Sequence, residues 1–264
     1  MAKPHALRSA AAAPDEPFVR RIGPADLRHA LAEGIDDFKA TPTHAVFVVL
    51  IYPVVGLVLA GIVLGHDVLP LLFPVLSGFA LIGPFAAVGL YEISRLREAG
   101  ETFTFAHAVA MLRSPAVGSI VALGLLLLIV LVAWLATAQL LYRTVFGDQV
   151  PGSLPAFLAQ VFATREGWMM ILVGNLLGLL FSAAVLAVSV VSFPLLLDRN
   201  VSAATAVRTS IRAVAVNPGT MALWGLIVAV SLVAGFLLLF LGLAVVLPIL
   251  GHATWHLYRR VVSV

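Results

Sequence analysis

His252 and His256 stand four residues apart in the run Gly251-His252-Ala253-Thr254-Trp255-His256-Leu257-Tyr258-Arg259. On a helix that spacing projects both imidazoles from one face, the way a helix presents a pair of metal or haem ligands. A carboxylate to complete such a set would come from Glu92 or Asp198. At a membrane surface, however, His, Trp, Tyr and Arg also set helix depth as interfacial anchors, and that reading of the run is preferred. Tyr91-Glu92-x-x-Arg95 and Asp198-Arg199 bring opposite charges together: Glu92 and Arg95 are spaced to pair along a helix, and either acid could instead reach Arg113 or Arg212. We read these five residues as structural ion pairs; the alternative is an anion or headgroup site built by the arginines. Nowhere does a nucleophile stand beside a base, so no catalytic residue is assigned and an enzyme is disfavoured.

Composition says what must carry these residues. The chain has 264 residues, 61% of them hydrophobic and 11% charged, more apolar surface than one soluble core can hide, so the surplus faces lipid. With no cysteine, thiolate metal sites and disulfides are excluded. A formal charge of +3 in such a chain reflects orientation in the bilayer and implies no nucleic-acid partner. Residues 1–20 read as a mobile cytoplasmic tail and 21–264 as a single integral membrane domain.

Five apolar stretches stand out: 42–64, 70–91, 115–142, 168–197 and 218–258. A crossing takes about 20 residues at roughly 1.5 Å each, so the last stretch, about 60 Å long if straight, must fold back near Leu239-Phe240-Leu241-Gly242. Six crossings follow, the last two spanning 218–239 and 242–260. With both termini inside, 14 of the 16 Lys and Arg lie on the cytoplasmic side, and only Arg143 and Arg165 lie outside. The fold class is therefore all-α and polytopic, with six transmembrane helices.

These six group as three hairpins. Thr41-Pro42, Ser114-Pro115 and Asn217-Pro218 open the first crossing of each, and Pro84, Pro194 and Pro248 lie inside the second. Ala30, Leu31, Gly34 and Ile35 align with Ala206, Val207, Ser210 and Ile211 at equal distances from their openers, which suggests a pseudo-repeat. An amphipathic helix precedes each hairpin: residues 24–40, with Leu27, Leu31, Ile35 and Phe38 on one stripe, then 104–113 and 201–216. Together they predict a cytoplasmic collar. Ser153-Leu154-Pro155 begins a short capped helix on the outer side. The deep positions hold Asn175 and Gln139 but no carboxylate, which disfavours a coupled transporter.

The patterns Asp26-Leu27-x-x-Ala30-Leu31-x-x-Gly34-x-x-Asp37-Phe38, Gly89-Leu90-Tyr91-Glu92-Ile93-Ser94 and Gly251-His252-Ala253-Thr254-Trp255-His256-x-Tyr258-Arg259 resemble an uncharacterised, domain-of-unknown-function family of bacterial six-helix inner-membrane proteins. The resemblance implies a bacterial inner-membrane setting and supplies no activity. The leading expectation is a non-enzymatic accessory, scaffold or assembly factor for a membrane complex, whose partners are the bilayer and another membrane protein and which needs no cofactor. The alternatives are a metal- or haem-binding membrane protein using His252 and His256, with Glu92, and a small-solute or lipid transporter.

Overall fold

The computed structural model describes residues 17–41, 69–148, 151–238 and 241–263. Its elements are β1 (Phe18–Val19), α1 (Pro24–Ala40), α2 (Leu72–Phe79), α3 (Gly83–Ala86), α4 (Val88–Glu98), α5 (Phe105–Leu112), α6 (Val117–Phe146), α7 (Leu154–Ala163), α8 (Arg165–Ser189), α9 (Ser192–Asp198), α10 (Ala203–Val216), α11 (Pro218–Leu237), α12 (Leu243–Val261) and β2 (Val262–Ser263). The first expected crossing, 42–64, lies outside the described residues.

Four stretches among the described residues are long and apolar enough to cross a membrane: Leu72–Glu98, Val117–Phe146, Arg165–Asp198 and Pro218–Leu237. Their bounds differ from the sequence expectation at the ends, where helices run on past the apolar core. The stretch Leu72–Glu98 continues seven residues beyond Tyr91, and within that extension Glu92, Ile93, Ser94 and Leu96 are buried. The expected sixth crossing, α12, is not among the four. It is apolar from Leu243 to Leu250 and then carries two histidines, Trp255, Tyr258 and two arginines.

Prolines explain the interruptions. A proline inside a helix lacks an N–H and crowds the carbonyl four residues earlier. Pro84 follows a 3₁₀ turn over Ala80–Ile82, and Pro194 follows the break between α8 and α9 at Val190-Val191. At the second break the Val191 N–H donates to Ser210 Oγ of α10 at 3.2 Å, so a side chain takes over where the helical ladder fails. Pro248 is accommodated within α12.

Between α11 and α12 the chain reverses, as its length requires. Gly242 and Gly235 meet so closely that a Cβ on Gly242 would lie 2.9 Å from Gly235 Cα. At the far end of the bundle, Ser153 and Thr164 cap α7 and α8 through their hydroxyls, and Phe157 and Val161 pack on Tyr142. Trp134 ties α6 to α2 by donating its indole N–H to the Pro74 carbonyl at 2.9 Å.

Helices form at all three of these positions, as α1, α5 and α10, and the packing of α1 along α12 is the most extensive between any two elements of the described residues. Ala30 and Ala206, at aligned positions, are both fully buried. Their helices end alike, with Thr41 and Asn217 each at φ −125°, ψ 48° before a proline. Residues 17–20, expected within a mobile tail, are instead docked. Phe18 and Val19 pair antiparallel with Ser263 and Val262, and Asn217 accepts from the Ile22 N–H at 2.8 Å and donates to the Arg20 carbonyl at 3.0 Å. Backbone groups with fixed partners explain the docking: a strand left single would leave them to water.

Gly34 sets the separation of α1 from α12. A Cβ there would lie 2.6 Å from the Ala253 backbone nitrogen and 2.8 Å from its Cα, atoms that cannot move independently. Gly34→Ala would gain about 1 kcal/mol of helix propensity but force the two helices apart, at about 1–3 kcal/mol. The expected result is a lower thermal midpoint in detergent, read by loss of the monodisperse peak on heating; an unchanged or raised midpoint would refute the close approach.

Candidate functional site

The polar residues converge where α1, α4, α9 and α12 meet, at the end of the bundle that also holds the β1–β2 ribbon. Asp37 is their centre. It lies on α1 one turn beyond Gly34, and the close approach of α1 to α12 that this glycine permits leaves its side chain 4% exposed. A buried carboxylate is tolerable only when paired and hydrogen-bonded. Two elements meet this one: from α12, His256 Nε2 donates to Oδ2 at 2.8 Å, and from α4, Ser94 Oγ donates to Oδ2 at 2.6 Å and Arg97 donates to Oδ1.

His252 stands behind Ser94, fully buried, with Nδ1 2.8 Å from Ser94 Oγ. An ionised carboxylate only accepts, so the single hydroxyl proton of Ser94 points to Asp37 and His252 Nδ1–H donates to Ser94. Its Nε2 completes no hydrogen bond among the described residues. Serine, histidine and aspartate are thus in contact, but in the wrong order for nucleophilic catalysis. A catalytic base sits between the acid and the hydroxyl and takes the hydroxyl proton. Here the hydroxyl sits between acid and imidazole, donates to the acid and is fully buried.

Four further acids extend the network. Arg260 reaches Glu33 at 2.9 Å and Asp26 at 3.7 Å, both on α1, while His256 Nδ1 lies 3.6 Å from Glu33. On the other flank, Glu98 accepts from the Trp255 indole and from Arg259, each at 3.0 Å. Asp198 accepts from the Tyr258 hydroxyl at 2.6 Å and lies 3.5 Å from Arg259 and 3.8 Å from Arg199. Every polar side chain from His252 to Arg260, apart from Thr254, which bonds its own helix, therefore grips a neighbouring element.

The structure thus places the residues singled out in the sequence as follows. His252 and His256 do share a face, directed at Ser94 and Asp37. Glu92, buried, is held by Arg95 of its own helix through two bonds of 2.7 and 2.8 Å, away from the histidine pair. Arg113 and Arg212 make no ion pair among the described residues; Asp198 is met by Arg199 and Arg259 instead. No group of three His, Cys, Asp or Glu among the described residues is arranged to hold a metal ion. Asp37, Ser94, Arg97 and Glu98 were not singled out. Asp37 and Ser94 each stand in one of the patterns that carry the family resemblance, and Asp37 also lies near the apolar stripe of a helix of mixed charge, but neither signal points to their contact.

Burial is the largest single influence on Asp37 and pushes its pKa up. The hydrogen bonds from His256 and Ser94, the charge of His256 and the Arg97 bond together outweigh it, so the carboxyl lies below its ordinary 3.8.

The fold is that of an all-α, multi-pass integral membrane protein. Residues 71–198 match the model of a family described as predicted integral membrane protein (DUF2189), an uncharacterised membrane family. The match includes Gly89–Ser94 but neither the 26–38 pattern nor the 251–259 run. No curated protein and no solved structure matches the chain.

Removing the hub carboxylate leaves a buried imidazole and a half-exposed guanidinium without their partner, so Asp37→Ala should cost about 3 kcal/mol, the lower end for a broken buried pair. Its pH dependence has a definite sign. A folded pKa below the unfolded one contributes stability that is complete above the unfolded value of 3.8 and lost as pH falls through the folded value. The wild-type thermal midpoint should therefore drop on acidification below about pH 4, and more steeply than that of Asp37→Ala; parallel curves for the two proteins would refute the assignment.

Proposed function

We propose that the chain is a non-enzymatic accessory protein of a bacterial inner membrane, a scaffold or assembly factor that holds a partner on its collar. The observation that carries this reading is a contrast between the two faces of the collar. Inward, the carboxylates of Asp37, Glu33, Glu98 and Asp198 are each met by donors from neighbouring elements. Outward, α1 exposes Ile35 among Arg28, His29, Asp36 and Lys39, and α10 exposes Ile211 between Arg208 and Arg212, with neither arginine bonded among the described residues. Apolar side chains framed by exposed charge suit a protein partner.

The proposed topology has six crossings in three pseudo-repeated hairpins, with both termini and the collar cytoplasmic. The matching ends of α1 and α10, their fully buried alanines and the retention of basic residues on one side support it. In a cyclic arrangement of three hairpins α10 would pack on the end of the fourth crossing and α1 on the end of the sixth, and α10–α9 and α1–α12 are such pairs.

Two measurements test these statements separately. A tagged chain at native abundance, extracted in mild detergent, should bring down a defined membrane complex, and Ile35→Asp with Ile211→Asp should abolish this without lowering the thermal midpoint; a monodisperse, partner-free protein would refute the accessory role. A reporter fused after Val264 should be active only in the cytoplasm, and periplasmic activity would overturn the topology.

A further inference from the structure

The geometry points to a binding site for the phosphate of a phospholipid headgroup, in the cleft where the amino-terminal strap crosses between α11 and the end of α12. Arg20, Arg21, Ile22, Asp26 and Arg260 line a cavity of about 180 Å³ there. Three guanidinium groups face one carboxylate, and that carboxylate is already committed. Asp26 accepts from the Gly23 N–H at 2.9 Å, closing the first turn of α1, and lies 3.7 Å from Arg260. Arg260 is further neutralised by Glu33. Arg20 spends one N–H on the neutral carbonyl of Arg259 at 3.2 Å, and Arg21 makes no hydrogen bond or ion pair among the described residues. Two adjacent positive charges therefore line the cavity with no carboxylate assigned to either.

Depth identifies what would neutralise them. α11 has 20 residues, about 30 Å at a rise of 1.5 Å, which matches the hydrocarbon thickness and puts its first turn at the interface. The strap is fastened to that turn: Thr220 donates to the Ile22 carbonyl at 3.1 Å, and Asn217, just before the helix, holds Arg20 and Ile22. The cavity thus lies at headgroup level, where the abundant anion is a phosphodiester. Phe18, 62% exposed two residues before Arg20, adds an aromatic side chain at the same depth. Guanidinium groups match phosphate oxygens with paired N–H donors, and two uncompensated ones favour a lipid with net negative charge over a zwitterionic one. This site is independent of the accessory role and needs only the membrane placement of α11.

The test uses the full chain in detergent and native mass spectrometry, with phosphatidylglycerol, phosphatidylcholine or inorganic phosphate added in turn. One phosphatidylglycerol should be retained in preference to phosphatidylcholine, and equimolar inorganic phosphate should not displace it. An arginine near an anionic headgroup contributes about 1 kcal/mol, so Arg21→Gln should weaken retention about fivefold, and Arg20→Gln with Arg21→Gln about twenty-fivefold. Because Arg21 fastens nothing, its variant should keep the wild-type thermal midpoint, which separates lost binding from lost folding. Equal retention by Arg21→Gln, equal retention of the two lipids, or displacement of the lipid by inorganic phosphate would each overturn the proposal.

Discussion

Asp37 is a carboxylate carried into the interior by a helix that lies across the end of the bundle, and the rest of that end is organised around meeting its charge. Desolvating an unpaired carboxylate costs several kcal/mol, so α1 can dock only if donors arrive from elsewhere. They arrive from Ser94 and Arg97 of α4 and from His256 of α12. Because the donors belong to two elements besides α1, satisfying one charge fixes the mutual register of all three. The close approach at Gly34 and the pairing of Phe18–Val19 with Val262–Ser263 then hold α1 and this ribbon in the same place.

Such a cluster divides the work within the molecule. The apolar parts of the four candidate spans pack through apolar surface, aromatic side chains and glycines such as Gly78, where a Cβ would meet Leu131 and Trp134. The polar cluster supplies what apolar packing in lipid lacks, a directional code for which helix end meets which. The same division accounts for α12, apolar for two turns and then dense with donors. Its second half is an interior surface for α1, α4 and α9 rather than a lipid-facing one.

How much of this could be read along the chain depended on sequence separation. Glu92 and Arg95 are three residues apart on one helix, so spacing alone puts them within reach. The common face of His252 and His256 is likewise a local matter of helical period. What that face meets is not local: Asp37 lies 219 residues from His256 and 57 from Ser94. In sequence Asp37 is one of four acids on a mixed helix, and only packing against α12 separates it from Asp36, which stays at the surface. Asp198 shows both regimes at once, beside Arg199 by adjacency and bonded to Tyr258 by folding. The ribbon had no signal, since two-residue strands leave no alternation to detect.

Hydropathy determined, without help from tertiary structure, that the protein is helical and embedded in a membrane. Those properties depend on a residue's neighbours within a turn or two, or on the length of a run measured against a bilayer. Tertiary structure alone decided that charges from α1, α4, α9 and α12 meet at one end of the bundle, that the histidine pair addresses an aspartate and a serine, and that Arg20 and Arg21 lie beside a cavity. These outcomes depend on which helix end lies opposite which, and electrostatic pairing across such distances along the chain acquires its geometry only once the bundle has formed.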